Sequence, residues 1–217
     1  MRRLDDLPLF PLGIVMLPGG TVPLHVFEER YREMLERCVE HGEPFCVVLA
    51  DDEDGLRTTG CLTSEIEVLE QLPDGRSNIA VVGGEIVEIE TIDAEAHAYL
   101  SASAVVVEDE DSPAPPNAVD DALAAYRELA KTAAVRGEAP PEPEPGPRLS
   151  YAIAGRIDFG VEVKQALLEA RSEKVRLADI TRLVRSASSQ LKVANVAGER
   201  ARSNGKVSSP DEILGRE

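Results

Sequence analysis

Residues 61–82 read CLTSEIEVLEQLPDGRSNIAVV. From Cys61 to Leu69 apolar and polar side chains alternate, which is the pattern of a strand with one buried face. Pro73-Asp74-Gly75-Arg76 then supplies a turn, because proline presets φ and glycine accepts the left-handed conformation. Ile79 to Val82 is a second apolar run. The stretch therefore predicts two strands joined by a hairpin turn.

Similar short runs lie on both sides of this hairpin. Further strands are predicted within Leu7–Leu17, and at Val22–Val26, Phe45–Ala50, Ile86–Ile92 and Leu100–Val107. Between Glu28 and Glu40 the apolar period changes to that of a helix, and Gly42 follows as its C′ residue. Short strands with turns about every ten residues and one inserted helix predict a small closed or partly closed barrel.

The composition changes after residue 109. Residues 109–117 are acidic and proline-rich and predict a linker, and residues 139–147 predict a stiff, extended spacer. Helices are expected at 117–135, 149–156, 159–170 and from Ser172 onward. The predicted class is α+β, with a barrel subdomain at 1–110, a helical bundle at 117–196 and a flexible tail at 197–217.

Charge and hydropathy exclude several classes of function. The 217 residues carry a net charge of −17, and the whole excess lies in residues 1–110, with 24 acidic and seven basic side chains. Such a surface repels phosphate, which argues against nucleic-acid binding. No apolar run reaches about 18 residues, so no membrane partner is expected. Three cysteines and no signal-like N-terminus predict a cytoplasmic protein with reduced thiols.

Motifs that carry catalysis are missing from the sequence. There is no Walker A spacing, and all five lysines follow residue 130, so Ser77 has no nearby lysine base in sequence. Cys38, His41, Cys46 and Cys61 do not have a regular zinc spacing and are expected to be core residues. We therefore expect no catalytic residue, no metal and no cofactor. A peptidase or hydrolase with an unrecognised site is a less favoured alternative, and RNA binding, which the barrel type alone would suggest, is opposed by the charge.

The N-terminal stretches Leu7–Leu12, Val15–Gly20 and Val22–Tyr31 together resemble the opening of the substrate-binding domain of ATP-dependent Lon protease. Weaker agreement extends the resemblance over residues 5–195, and the chain is similar to stand-alone bacterial Lon-domain proteins. The resemblance implies a PUA-like β-barrel with one inserted helix, followed by a C-terminal helical bundle. Phe27 and Tyr31 are expected to face the barrel from successive helical turns.

The resemblance also implies a function, a non-catalytic module that binds unfolded or degron-bearing polypeptides and acts as an adaptor or regulator beside a protease component. Met16, Leu17 and Pro18, with Phe10, are expected to form an exposed apolar patch for such chains. A free strand edge could add main-chain pairing, and the acidic barrel would prefer basic or neutral segments. The alternative is an assembly or regulatory protein that acts through its helical half.

Overall fold

The sequence folds into a strand-rich first half and a helical second half. The computed structural model describes residues 2–51, 55–110, 113–134 and 141–204. Within these ranges there are six strands and five helices: β1 (Arg3–Leu12), β2 (Thr21–Val26), α1 (Glu29–His41), β3 (Cys46–Asp51), β4 (Gly55–Gln71), β5 (Ser77–Asp93), β6 (Ser101–Val107), α2 (Pro116–Ala134), α3 (Leu149–Ala154), α4 (Val161–Glu169) and α5 (Glu173–Asn204). The expected mixture of strands and helices is confirmed.

The strands form one sheet with the order β2-β5-β4-β3-β1-β6, and β6 also pairs with β5. The pairings of β5, β4, β3, β1 and β6 therefore form a closed ring, and β2 extends it beside the hairpin end of β5. β1 and β3 are parallel, whereas the other pairs are antiparallel. None of the helices in the described ranges is both long and apolar enough to cross a membrane.

β5 is one long strand where the sequence predicted two. It runs from Ser77 to Asp93 and pairs with β4 along most of its length, including Gly83 with Thr63. Gly83-Gly84 was expected to separate two strands, because glycine usually weakens a strand interior. Here Gly83 pairs with Thr63, and Gly84 continues the same extended strand. The predicted turn at residues 73–76 is confirmed, with Gly75 at a φ of 84°.

α1 follows its predicted period closely. Tyr31, Met34, Leu35 and Cys38 are buried against the sheet, and Gly42 ends the helix in the left-handed conformation, with its N–H on the carbonyl of Cys38. The expected C′ role of Gly42 is confirmed. The helix is thereby fixed beside the strands with a polar outer face.

Two clusters of buried side chains cover the strands on both faces. Neighbouring β1 residues belong to different clusters, Leu9 to one and Phe10 to the other. The Leu9 cluster comes from the five ring strands alone. The Phe10 cluster contains α1 residues and continues through Leu123 of α2 to Ile180 of α5. The predicted division at residues 1–110 and 117–196 stays a prediction, and its two parts share this second cluster.

Arg176 of α5 is a fully buried cation that joins the two halves, and we call it and its partners the Arg176 clamp. Its Nη1 donates to Asp109 Oδ1 (2.7 Å), just after β6, and its Nη2 donates to Glu173 Oε2 (2.9 Å). Its Nε donates to Ser150 Oγ (3.1 Å), and its guanidinium lies over the Tyr151 ring at 4.4 Å. Burial opposes the charge, but the hydrogen bond and charge of Asp109, with Glu173, keep the pKa of Arg176 raised.

The predicted linker and spacer are attached to their surroundings where the structure describes them. The N–H of Glu110 donates to the carbonyl of Arg171 (2.8 Å), next to the Arg176 clamp. In the proline-rich segment the carbonyl of Pro141 accepts from Tyr126 Oη (3.0 Å), and Glu142 accepts three hydrogen bonds from Arg127. Of the expected linker, residues 111–112 lie outside the described ranges, as do 135–140 near the spacer.

α5 continues past the expected start of the tail at residue 197 and ends at Asn204. Contacts with α2 extend along the helix, where Asn195 Nδ2 donates to the carbonyl of Thr132 (3.3 Å) and Lys192 pairs with Glu128 (2.6 Å). The remainder of the predicted tail, 205–217, lies outside the described residues.

Replacing Arg176 by alanine is expected to lower the free energy of unfolding by about 3–5 kcal/mol, because it leaves Glu173 buried without its cation. Arg182→Ala is the matched control on the same helix, since Arg182 forms an exposed ion pair with Asp179 one turn away. That variant should lose less than about 1 kcal/mol. Urea unfolding measures both, and equal losses would contradict the clamp.

Candidate functional site

The four residues expected to form an exposed apolar patch are buried. Met16 is 1% exposed, Leu17 5% and Phe10 4%, and Pro18 is buried beside them. The expectation of an exposed patch is therefore wrong. A role of these residues in polypeptide binding stays a prediction, and for Met16, Leu17 and Pro18 it would require the loop that carries them to leave the sheet.

The physical reason for this burial is a close approach between the loop and β5. The N–H of Gly19 donates to the carbonyl of Gly83 (2.8 Å), and the N–H of Gly83 donates to the carbonyl of Gly20 (2.9 Å). A Cβ on Gly83 would lie 2.2 Å from the carbonyl oxygen of Leu17, so only glycine allows this contact. The Pro-Gly-Gly turn thus holds its apolar neighbours inward.

Phe10 is held in the same core by aromatic contacts. Its ring lies 4.4 Å from that of Tyr31 and 5.8 Å from that of Phe45, centroid to centroid. Tyr31 faces inward as expected. Phe27 does not, since it is 59% exposed and stacks on His25 at 5.9 Å. Phe27 precedes α1, so the helical spacing that would align it with Tyr31 does not apply.

A groove runs between α1 and β4, and we call it the α1–β4 groove. It consists of two clefts with volumes of about 510 Å³ and about 730 Å³, and Val39 of α1 lines both. The smaller cleft lies between the C-terminal end of α1 and Leu62–Ile66 of β4. The larger cleft lies between α1 and the hairpin end, where Val68, Gln71 and Gly75 line it.

The β4 side of this groove is a strand edge without a partner strand in the described chain. β3 has six residues, and its pairing with β4 reaches Leu62, followed by one bond from the N–H of Thr63 to the carbonyl of Phe45 (2.9 Å). From Ser64 to Gln71, β4 pairs only with β5. Backbone groups alternate in direction along a strand, so about half of those in residues 64–71 point away from β5.

The groove has an apolar floor that is open to solvent. Val39 is 50% exposed and Val68 is 44% exposed, one on each side of the larger cleft. These are two of the larger exposed apolar side chains in the described ranges. A segment lying in the groove would therefore bury apolar surface on α1 and on β4 at the same time.

The α1 wall of the larger cleft is acidic. Four glutamates of α1 line it without forming an ion pair in the part of the chain that the structure describes: Glu29, Glu33, Glu36 and Glu40. Arg32 is the one cation lining this cleft, and its Nη1 donates to the carbonyl of Asp74 in the hairpin turn (2.9 Å). The cleft therefore presents net negative charge to any segment that enters it.

The groups considered for chemistry are packed into the core. Burial raises the pKa of Cys38 to about 11 and of Cys61 to about 12, and it also raises the pKa of Cys46. These thiols therefore stay protonated at neutral pH. Ser77 is 5% exposed and lies in the sheet between Val26 and Gln71. Within the described ranges, no group of three or more His, Cys, Asp or Glu residues could hold a metal ion.

A second cluster of titratable groups surrounds Asp6, which has a φ of 55° at an irregularity in β1. Asp6 accepts from His97 Nε2 (2.8 Å) and pairs with Arg37 (3.0 Å). Burial opposes ionisation, but hydrogen bonds from His97 and Ser101 and the charge of Arg37 hold the pKa of Asp6 below its ordinary value. Arg37 also donates to Tyr99 Oη (3.1 Å), so this cluster links α1, β1 and the segment before β6.

Comparison with known proteins identifies the family. The family model described as ATP-dependent protease La (LON) substrate-binding domain matches residues 6–186. The chain belongs to the Lon substrate-binding domain family. Its fold is similar to the crystal structure of a Lon N-terminal domain protein from Xanthomonas campestris, with a TM-score of 0.64 and 22% identity, over 82% of this chain and 97% of that one.

A second solved structure supports the same fold. The N-terminal domain of a Mycobacterium avium complex Lon protease matches with a TM-score of 0.57 and 17% identity, over 85% of this chain and 98% of that one. The expected family membership is therefore confirmed. At these sequence identities the two structures establish the fold of this Lon domain alone. The chemistry of its groove depends on the residues of this chain.

Sequence reasoning missed the groove of this Lon domain. Val39 was placed on the buried face of α1, and Val68 on the buried side of an alternating strand, yet both are about half exposed. The available signal was a difference in length, since the run at Phe45–Ala50 is much shorter than the polar-alternating strand that follows it. A short strand cannot cover the whole edge of a long neighbour.

Replacing Gly83 by alanine is expected to destabilise the protein by about 1–3 kcal/mol, because the new Cβ must displace the backbone of Leu17. Gly13→Ala is the control, since a Cβ there meets nothing within 4 Å. It should change the free energy of unfolding by less than about 0.5 kcal/mol. Urea unfolding of the two variants checks this, and equal stabilities would refute the close-approach argument.

Proposed function

We propose that this Lon-family protein is a non-catalytic polypeptide-binding module that holds a segment of an unfolded or degron-bearing chain in the α1–β4 groove. The observation that carries the proposal is the combination of an unpaired strand edge with an open apolar floor in one groove. Main-chain pairing and apolar contact are the two interactions available in every polypeptide, whatever its sequence. Membership of a substrate-binding domain family supports the same function.

The finer parts of the proposal follow from this activity. We assign the protein an adaptor or regulator role beside a protease component in cytoplasmic protein quality control. The closed ring of strand pairings supports a PUA-like barrel, and the packing of α2 against α5 supports a C-terminal helical bundle. The Arg176 clamp would make barrel and bundle move as one body, so that a bound chain is presented in a fixed orientation.

A second candidate function uses the helical half. Val175 is 51% exposed and Val193 is 70% exposed on α5, which favours this helix as the place where another protein could dock. This is the assembly or regulatory alternative. The groove function requires Val39 and Val68, whereas the alternative requires Val175 and Val193. Substituting one pair or the other therefore separates the two functions.

Replacing Val39 and Val68 together by serine is expected to weaken the binding of an unfolded polypeptide about tenfold. The estimate follows from removing two half-exposed apolar contacts of roughly 0.7 kcal/mol each. Fluorescence polarisation with labelled, reduced and carbamidomethylated lysozyme measures the affinity. Serine leaves the charge unchanged, and neither valine is buried, so the fold is retained.

Val175→Ser with Val193→Ser is the matched control, since it removes two exposed valines from α5 instead. It should leave the affinity within about twofold of the original protein. Loss of binding in this variant alone would assign the function to the helical half. Equal affinity of all three proteins would contradict the groove. Gly83→Ala displaces the loop that carries Met16, Leu17 and Pro18. If this variant binds the unfolded chain more tightly than Gly13→Ala does, these three residues have a role in binding.

A further inference from the structure

We infer that the α1–β4 groove selects basic, extended segments, which it binds as an added strand on residues 64–71 of β4. This inference rests on the proposed function and deepens it, because it gives both the conformation and the chemical class of the bound chain. It is carried by the free edge of β4, the position of α1 beside that edge, and the charge of the α1 wall.

The free edge has the length that a strand needs, and its pairing with β5 is irregular between Thr63 and Glu65 and between Val68 and Glu70. β3 occupies the same edge of β4 up to Thr63, so an added strand would continue the sheet beyond the end of β3. Residues 64–71 extend over about 25 Å, enough for a partner of seven or eight residues. The two clefts along this edge, about 510 and 730 Å³, lie end to end at Val39 and provide the space for that strand.

The other exposed edge of the sheet is less suited to strand addition. β2 pairs only with β5, but it has six residues and carries Pro23 at its centre. Proline has no N–H to donate, which protects an edge against a further strand. Residues 64–71 contain no proline. The comparison of the two edges therefore favours β4.

The charge on both sides of the groove then determines which segments fit. The four α1 glutamates that line the larger cleft form no ion pair within the described ranges. The smaller cleft has a mixed lining of three glutamates and two arginines, so the negative charge is concentrated in the larger cleft. α1 packs over one face of the sheet. A strand added to the edge of β4 directs alternate side chains to opposite faces, so one set lies on the face that carries α1. Lysine or arginine at these positions gains attraction, whereas aspartate or glutamate meets repulsion.

The same charge argues against a second copy of this chain as the occupant. The protein carries a net charge of −17, and residues 64–71 themselves contain Glu65, Glu67 and Glu70. Pairing of two such edges would place carboxylates against carboxylates. Like charges on an edge strand prevent self-association in this way. The free edge of β4 therefore disfavours pairing with a second copy of this chain and favours pairing with basic segments.

Matched peptides test the inference directly. The probes are labelled ten-residue peptides of alternating lysine and valine, the glutamate and valine counterpart, and two lysine peptides N-methylated at every second residue, one for each register. N-methylation removes the N–H groups that pair with a strand edge and leaves the side-chain charge unchanged. Fluorescence polarisation at low salt gives the affinities.

The lysine peptide should bind at least about tenfold more tightly than the glutamate peptide. N-methylation in one register should weaken it at least about tenfold, and in the other register much less, since only one set of N–H groups faces β4. Equal affinity of the lysine and glutamate peptides would overturn the charge selection. Unchanged binding of both N-methylated peptides would overturn strand addition.

Two quadruple variants locate the charge effect. The test variant changes the four α1 glutamates to glutamine, and the control changes four exposed glutamates elsewhere that have no ion pair in the described chain: Glu95, Glu108, Glu144 and Glu162. Both remove the same net charge. The preference for lysine over glutamate should fall at least about fivefold in the first variant only. An equal fall in both would show that net charge, and not the groove, gives the preference.

Failure of the inference is distinguishable from failure of the proposed function. If the binding of unfolded lysozyme depends on Val39 and Val68 but the peptides all bind with equal affinity, the proposed function stands and the inference is overturned. Absence of binding to both the lysozyme chain and the peptides would overturn the two together.

Discussion

β4 and β5 are each 17 residues long and pair along most of that length, whereas β3, the neighbour on the other edge of β4, has six residues. This mismatch is the constraint on which the rest of the account depends. Every strand in a closed ring must be paired on both sides, but only over the length that the ring needs. The hairpin end of β4 and β5 extends beyond the ring, and β2 covers β5 there while β4 keeps an open edge.

The remaining elements hold this edge in place and shape its surroundings. The apolar face of α1 packs on the sheet and fixes a helix beside the edge, so that the space between them becomes a groove. The contact between Gly83 and Leu17 fixes the loop that precedes β2 and keeps Met16, Leu17 and Pro18 buried. The Arg176 clamp joins the sheet to the helices by charged hydrogen bonds from a fully buried guanidinium. A rigid groove loses little conformational entropy on binding, which suits a site that must accept many sequences.

Much of the fold could be predicted from the sequence because its signals are local. The period of α1, the C′ role of Gly42 and the turn around Gly75 depend on neighbouring residues, and all three are confirmed. The continuity of β5 through Gly83 could not be predicted, because it depends on a loop more than sixty residues away in sequence. Arg176 carries no local signal either. Its partners Asp109 and Ser150 are distant in sequence, and an arginine in a polar helix reads as exposed.

The sequence analysis was wrong about which apolar side chains are exposed, and a binding role for Met16, Leu17, Pro18 and Phe10 stays a prediction. An acidic surface with a strand edge was expected from composition and from the alternating pattern, and both features are present. The apolar patch was expected at Met16, Leu17 and Pro18, with Phe10, because contiguous apolar surface usually marks an interaction site. Exposure is decided by tertiary contacts that no short window contains. Val39 shows the opposite error. The helical period predicts a buried position for it, at the margin of the apolar face of α1, but its side chain is about half exposed.

Amide hydrogen exchange along β4, followed residue by residue by NMR with and without the lysine–valine peptide, tests the central claim most directly. Free-edge amides exchange quickly, and pairing with an added strand slows them. The account predicts slower exchange at alternate residues of 64–71 on binding and no change along α5. Binding that leaves residues 64–71 unprotected, or that protects α5 instead, would contradict it.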